Sequence, residues 1–153
     1  MLKLYNTLTK SEEIADFTSK EVKIYLCGPT VQSSPHIGHG RSAVVFDFLV
    51  RYLNYTGKEV VFARNITDID DKIIEKSIEQ GVTHNELTTK VSKEFNEAYS
   101  ALNCKIPNHE PKATESIEKM IELIKLLEEK EIAYQSSSGV YFDISKYDNY
   151  LEL

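Results

Sequence analysis

Cysteine is scarce in this sequence of 153 residues, which holds only Cys27 and Cys104. Two thiols so far apart build no disulfide framework, and they suit the reducing cytoplasm. Long apolar runs are lacking too. None approaches the ~20 residues a membrane-crossing helix needs, and no secretory leader precedes Met1-Leu2-Lys3, so no membrane partner is expected. Positive charge is in deficit: the formal net charge is -6, which argues against a generic nucleic-acid-binding surface. There is no internal repeat and no low-complexity segment. What remains is a chain long enough for one domain with a buried core.

Strands and helices alternate along it. Val22 to Leu26 is rich in β-formers and reads as a strand. Val44, Val45, Phe48, Leu49, Tyr52 and Leu53 recur at helical spacing, which predicts a helix from about Gly40 to Tyr55, closed by Gly57. Glu59 to Arg64 (EVVFAR) reads as a buried strand, parallel to the first if the crossover is right-handed. Asp70 to Gln80 is a helix stopped by Gly81. Thr83-His84-Asn85-Glu86 is a capping box that starts another, running to about Leu102. Pro107 and Pro111 mark a loop. Thr114 can cap a helix whose Ile117, Met120, Ile121, Ile124 and Leu127 share one face. Ile132 to Tyr134 and Val140 to Ile144, around Ser136-Ser137-Ser138-Gly139, read as a hairpin. The fold class is α/β: a parallel sheet with flanking helices, whose ligand chemistry belongs at the carboxyl ends of the strands.

The stretch from Tyr25 to Arg41 (YLCGPTVQSSPHIGHGR) concentrates the chemistry. A strand delivers Cys27 and Gly28, a polar loop follows, and Pro35-His36-Ile37-Gly38-His39-Gly40 opens a helix. Free N–H groups and the helix dipole attract phosphate at such an N-terminus. Gly38 and Gly40 admit a bulky group close to the backbone, while His36 and His39 can donate hydrogen bonds to phosphate oxygens. Cys27 would lie beside that anion site as a metal ligand or nucleophile, or else as a small buried hydrophobe. A zinc site of Cys27, His36 and His39 is also conceivable.

Pro35-His36-Ile37-Gly38-His39 resembles the His-Ile-Gly-His signature of class I aminoacyl-tRNA synthetases. Upstream lies Leu26-Cys27-Gly28-Pro29-Thr30-Val31 and downstream Arg64-Asn65-Ile66-Thr67-Asp68-Ile69-Asp70-Asp71-Lys72. Together they are similar to the cysteinyl-tRNA synthetase family, and Leu4-Tyr5-Asn6-Thr7-Leu8-Thr9 fits its N-terminus. Members of that family are about three times longer. The chain therefore reads as an N-terminal fragment, lacking the Lys-Met-Ser-Lys-Ser signature and any anticodon-reading domain.

That resemblance implies a Rossmann-like nucleotide-binding catalytic domain, of which residues 1–131 are the first part. Residues 132–153 would begin an inserted connective segment. It implies ATP-dependent activation of L-cysteine to cysteinyl-adenylate and transfer to tRNA(Cys), with Mg accompanying ATP and most tRNA contacts elsewhere. Cys27 takes the position of the first zinc ligand, the others lying in later sequence. His36 and His39 take the catalytic positions. Pro29, Thr30, Val31, Gln32, Ser33, Ser34, Pro35 and Ile37, with Gly38 and the two histidines, make the ATP-binding stretch. Gly28 and Thr67 border the cysteine pocket, and Thr67 reads equally well as a helix N-cap. This stretch alone is expected to be inactive and to expose apolar surface.

Several residues carry other readings. Asp68, Asp70 and Asp71 look like a metal cluster or like acidic groups favourable to a helix dipole. Cys104 matches nothing in the family pattern and reads as structural. Gln32 stands where many members have an aromatic. Gly38-His39-Gly40-Arg41-Ser42-Ala43 also fits a G-x-G-x-x-A fingerprint with Glu59 as ribose partner, the mark of an NAD-binding module. That fingerprint needs its first glycine directly after the strand, and here a long loop intervenes. The mycothiol-pathway cysteine ligase, which adenylates cysteine for an amino sugar, is the nearer alternative. The block from Asn65 to Lys72 and the His-Ile-Gly-His signature favour the synthetase.

Overall fold

A computed structural model describes residues 2–15 and 17–150. Two compact units divide the chain: residues 19–116, and the flanking stretches up to Thr18 and from Ile117 onward.

The larger unit is built on a βαβ element. Strand β3 (Glu21–Leu26) and strand β4 (Glu59–Arg64) pair in parallel, from Glu21 opposite Glu59 to Leu26 opposite Arg64. Helix α1 (Ile37–Tyr55) connects them. It begins three residues before the expected Gly40 because its N-cap is His36, a residue type outside the usual Ser, Thr, Asp and Asn set. One stripe of α1 turns inward and buries Ala43, Val50 and Leu53, while Val44, Val45 and Phe48 of the expected apolar set stay exposed. The i, i+7, i+10 spacing of the buried three puts them on one helix face, and the exposed three lie beside it.

The stretch around Pro107 and Pro111, read as a loop, in fact runs alongside β4. Asn108 and His109 donate their amides to the Phe62 carbonyl, Arg64 donates to His109 O at 3.0 Å, and Ile66 donates to Pro111 O at 2.9 Å. Parallel bridges join Ala63 to His109 and Ile66 to Lys112. β4 therefore has neighbours on both sides. Proline lacks an amide donor but keeps its carbonyl, so Pro111 can sit at an accepting position of this ladder.

Helix α2 (Asp71–Gln80) is capped by Asp70 and ends on Gly81 in the left-handed region. Helix α3 (His84–Ala101) starts in the capping box of Thr83 and Glu86. Val31, Ala43, Ile66, Ile73, Leu87, Val91, Phe95 and Tyr99 form the core, with Cys104 packed against it. Burial raises the thiol pKa of Cys104, in keeping with a structural role.

The other unit holds an antiparallel hairpin unread in the sequence, β1 (Lys3–Asn6) with β2 (Ser11–Ile14). After a 3-10 turn at Thr114–Ser116, helix α4 (Ile117–Glu129) buries none of its residues. The final hairpin pairs β5 (Ala133–Ser136) with β6 (Gly139–Phe142) around Ser137 and Ser138. Among the described residues the sheets are short: one parallel pair and two antiparallel hairpins.

Candidate functional site

The site opens at the carboxyl ends of β3 and β4, where the regular ladder breaks. The Gly28 amide donates to Asn65 Oδ1 at 2.8 Å, and Asn65 Nδ2 donates to Thr67 Oγ1 at 3.2 Å. A Cβ on Gly28 would lie 1.6 Å from the Asn65 carbonyl oxygen, so only glycine fits. Pairing then resumes: Val31 N donates to Thr67 O at 3.1 Å, and Thr67 N to Pro29 O at 3.0 Å. This detour swings Cys27 and the following loop toward the start of α1.

Two imidazoles close that helix start reciprocally. His36 Nδ1 accepts the Gly38 amide at 3.1 Å, and His39 Nδ1 accepts the His36 amide at 3.2 Å. The arrangement is a capping box in which His36 Nδ1 replaces the usual hydroxyl oxygen and His39 Nδ1 the usual carboxylate oxygen. The rings stack with centroids 3.8 Å apart, and His39 meets the edge of Phe95 at 4.9 Å. Accepting through Nδ1 places the proton of each neutral ring on Nε2. Burial, then the neighbouring His36 charge, lowers the pKa of His39. Each ring therefore keeps an Nε2–H donor that the cap does not use.

Cys27, Gly28, Pro29, Thr30, Gln32, Ser33, His36 and His39 line one cavity of about 300 Å³. The other named residues lie elsewhere. Val31 is fully buried in the core. Ser34 is exposed, and Pro35 and Ile37 border a separate cavity with Gly40 and Leu102. Gly38 contributes its amide to the cap. Thr67 does not line the cavity; it spans the two chain segments as a ladder residue, and the N-cap of α2 is Asp70 instead.

The Cys27 thiol is exposed and free. Among the described residues no three His, Cys, Asp or Glu side chains converge as a metal-binding set. Cys27, His36 and His39 thus do not form a zinc site by themselves, and the histidine Nδ1 atoms are committed to the cap. Cys27 fits one soft position of a larger donor set. The three aspartates also part company. Asp68 accepts from the Thr114 amide at 2.9 Å and its hydroxyl at 2.6 Å, Asp70 caps α2, and Asp71 lies in its first turn. Glu59 sits at the amino end of β4 paired with Lys20. Gly38 to Ala43 lie inside α1, not in a strand-to-helix turn. Both facts overturn the dinucleotide reading.

Sequence reasoning missed five residues that also line the cavity: Leu26, Ser42, Ala43, Arg64 and Tyr99. Arg64 had a signal, as the one charge ending an apolar strand. Its side chain is 6% exposed and pairs with Glu110 at 2.7 Å.

The family model described as tRNA synthetases class I (C) catalytic domain matches residues 13–153. A cysteine–tRNA ligase of Vibrio vulnificus (strain YJ016) is 46% identical over 155 residues, covering 100% of this chain and 34% of that protein. The one of Rickettsia prowazekii (strain Madrid E) is 48% identical over 157 residues, 99% of this chain and 34% of its own length. That of Geobacter metallireducens is 44% identical over 153 residues, 99% of this chain and 32% of its own. The chain spans about a third of the length of these curated relatives.

Proposed function

The chain belongs to the family of class I (C) tRNA synthetase catalytic domains, and from that premise we propose that it is the N-terminal segment of a cytoplasmic cysteine–tRNA ligase. The full-length protein activates L-cysteine with ATP and passes the aminoacyl group to tRNA(Cys). Residues 1–131 belong to a Rossmann-like catalytic domain, and 132–153 begin a segment inserted into it.

The observation that carries this reading is the reciprocal histidine cap. Its two Nε2–H groups stand at the head of α1, beside the cavity that Cys27 and Gly28 border. In adenylation a cysteine carboxylate oxygen attacks the α-phosphorus of ATP. The bond from that phosphorus to the bridging oxygen breaks, and pyrophosphate leaves with the electron pair. Negative charge spreads over the phosphate oxygens, and fixed donors that need not reorganise lower the barrier. His36 and His39 supply such donors, with Mg accompanying the ATP phosphates. The terminal ribose hydroxyl of tRNA(Cys) then displaces AMP from the adenylate. Pro29, Thr30, Gln32 and Ser33 form the loop over which ATP lies.

Cys27 offers one ligand to zinc. When bound, that metal supplies a soft Lewis acid that favours a substrate thiolate over serine's hydroxyl. Gly28 and Thr67 shape the neighbouring backbone, Thr67 by holding Asn65 in place.

ATP–pyrophosphate exchange by the full-length protein tests the proposal. Exchange should depend on cysteine and stay near background with serine, because a hydroxyl cannot replace a thiolate at a soft metal. Equal exchange with both amino acids, or none with cysteine, would overturn it.

A further inference from the structure

Arg64 is almost wholly buried, and its guanidinium is taken up by Glu110 and Tyr99 rather than by a cap or the strand ladder. Nη2 and Nε both donate to Glu110 Oε1, at 2.7 and 3.3 Å. The guanidinium carbon stands 4.2 Å from the centre of the Tyr99 ring. Tyr99 meets Phe95 with centroids 5.7 Å apart, and Phe95 meets His39 at 4.9 Å. A continuous chain of contacts, tilted and then edge-on, therefore runs from the Glu110 carboxylate to the twin imidazoles. We propose that Arg64 is a positioning residue for adenylation: pinned by Glu110, it fixes Tyr99 and Phe95, and through them the plane of His39. This rests on the ligase reading above.

The two ends of this series of contacts are anchored by different parts of the chain. At one end, β4 and the 108–113 stretch are joined by main-chain bonds on either side of Glu110, Arg64 N to His109 O and Ile66 N to Pro111 O. At the other, the cap holds His39 by Nδ1, and the stacked His36 ring covers one of its faces, which leaves the far side of the ring to be fixed by another neighbour. Phe95 is that neighbour. A buried ion pair contributes little net stability, since desolvation offsets attraction. What it does supply is a fixed direction, because guanidinium is planar and lies flat on an aromatic face. Small displacements of a donor matter at this site, where ~1 Å of misplacement can cost about 100-fold in rate.

Tyr99→Leu removes the ring between Arg64 and Phe95 and leaves the ion pair intact. Glu110→Gln keeps an acceptor for Arg64 but not the charge that pins it, and it reads the same series of contacts if the first variant fails to fold. In the full-length protein, each should lower the cysteine-dependent exchange kcat by about 10-fold or more, with KM for ATP held within about 2-fold. In the same samples the imidazole ring-proton resonances of His39 should move, since they lie in the ring-current field of Phe95. Folded variants with normal kcat, a loss carried by KM alone, or unmoved His39 resonances would overturn the positioning role. Absence of exchange in the unsubstituted protein would instead sink the ligase reading, and the His39 resonances would still decide whether Arg64 and Tyr99 set the ring.

Discussion

Gly28 and Asn65 approach so closely that a methyl group on the first would fall 1.6 Å from the carbonyl oxygen of the second. The contact joins the ends of β3 and β4 and turns Cys27 into the cavity. Gly28→Ala must push the two segments apart, at a cost of about 3 kcal/mol or more for overpacking against backbone. A urea titration of the variant should show the midpoint fall accordingly. An unchanged midpoint would mean that the strand ends tolerate separation.

His39 serves the helix cap and, in our proposal, the phosphate charge. His39→Gln separates these tasks, since a glutamine at the third helical position can still accept the His36 amide. The variant should keep its melting temperature, whereas loss of a cap costs about 1 kcal/mol. Its exchange kcat should fall about 100-fold, as for other preorganised donors. A variant that loses stability but keeps its turnover per folded molecule would mark His39 as structural.

The cap also sets a pH dependence. The pKa of His39 is lowered from 6.5 by burial and then by His36, so the unfolded chain binds a proton more readily than the folded one. Stability from this group is complete above 6.5 and declines as pH falls from there through the lower folded value. Protonation also turns Nδ1 into a donor and ends its acceptance of the His36 amide. Urea midpoints between about pH 7 and pH 5 should drop more steeply for the unsubstituted protein than for His39→Gln. Parallel curves would show that His39 does not titrate in this window.

Cys27 is exposed and makes no core contact. Cys27→Ser should therefore shift stability by less than about 0.5 kcal/mol. In the full-length protein the same change should reduce retained zinc and cysteine activation together, because zinc holds thiolate in preference to hydroxyl. Stoichiometric zinc with unchanged exchange would remove Cys27 from the ligand set.

Local chemistry was legible along the chain. The Thr83–Glu86 box is present with both of its hydrogen bonds and Gly81 ends α2, because such signals act within one turn; the cap of α2, read at Thr67, is Asp70 instead. The paired strands at Val22 to Leu26 and Glu59 to Arg64 declared themselves by β-forming residues between breakers. The Cys27-to-His39 stretch could be singled out as a candidate site for the same reason: its residues are neighbours in sequence before they are neighbours in space, and several of them line one cavity. Family membership followed from those same motifs.

The tertiary structure alone decided the rest. His36 as N-cap required knowing which ring nitrogen faces which amide. The strand-like course of residues 108–113 was hidden by Pro107 and Pro111, since its ladder depends on the donors of β4 rather than on its own composition. Which stripe of α1 would be buried was settled by what packs on it, and Val44, Val45 and Phe48 show no local difference from the residues that are covered. The pairing of Arg64 with Glu110 joins residues far apart in the chain. A charge at the end of an apolar strand announces that some partner exists; only the folded chain, by laying the 108–113 stretch against β4, determines which carboxylate it is.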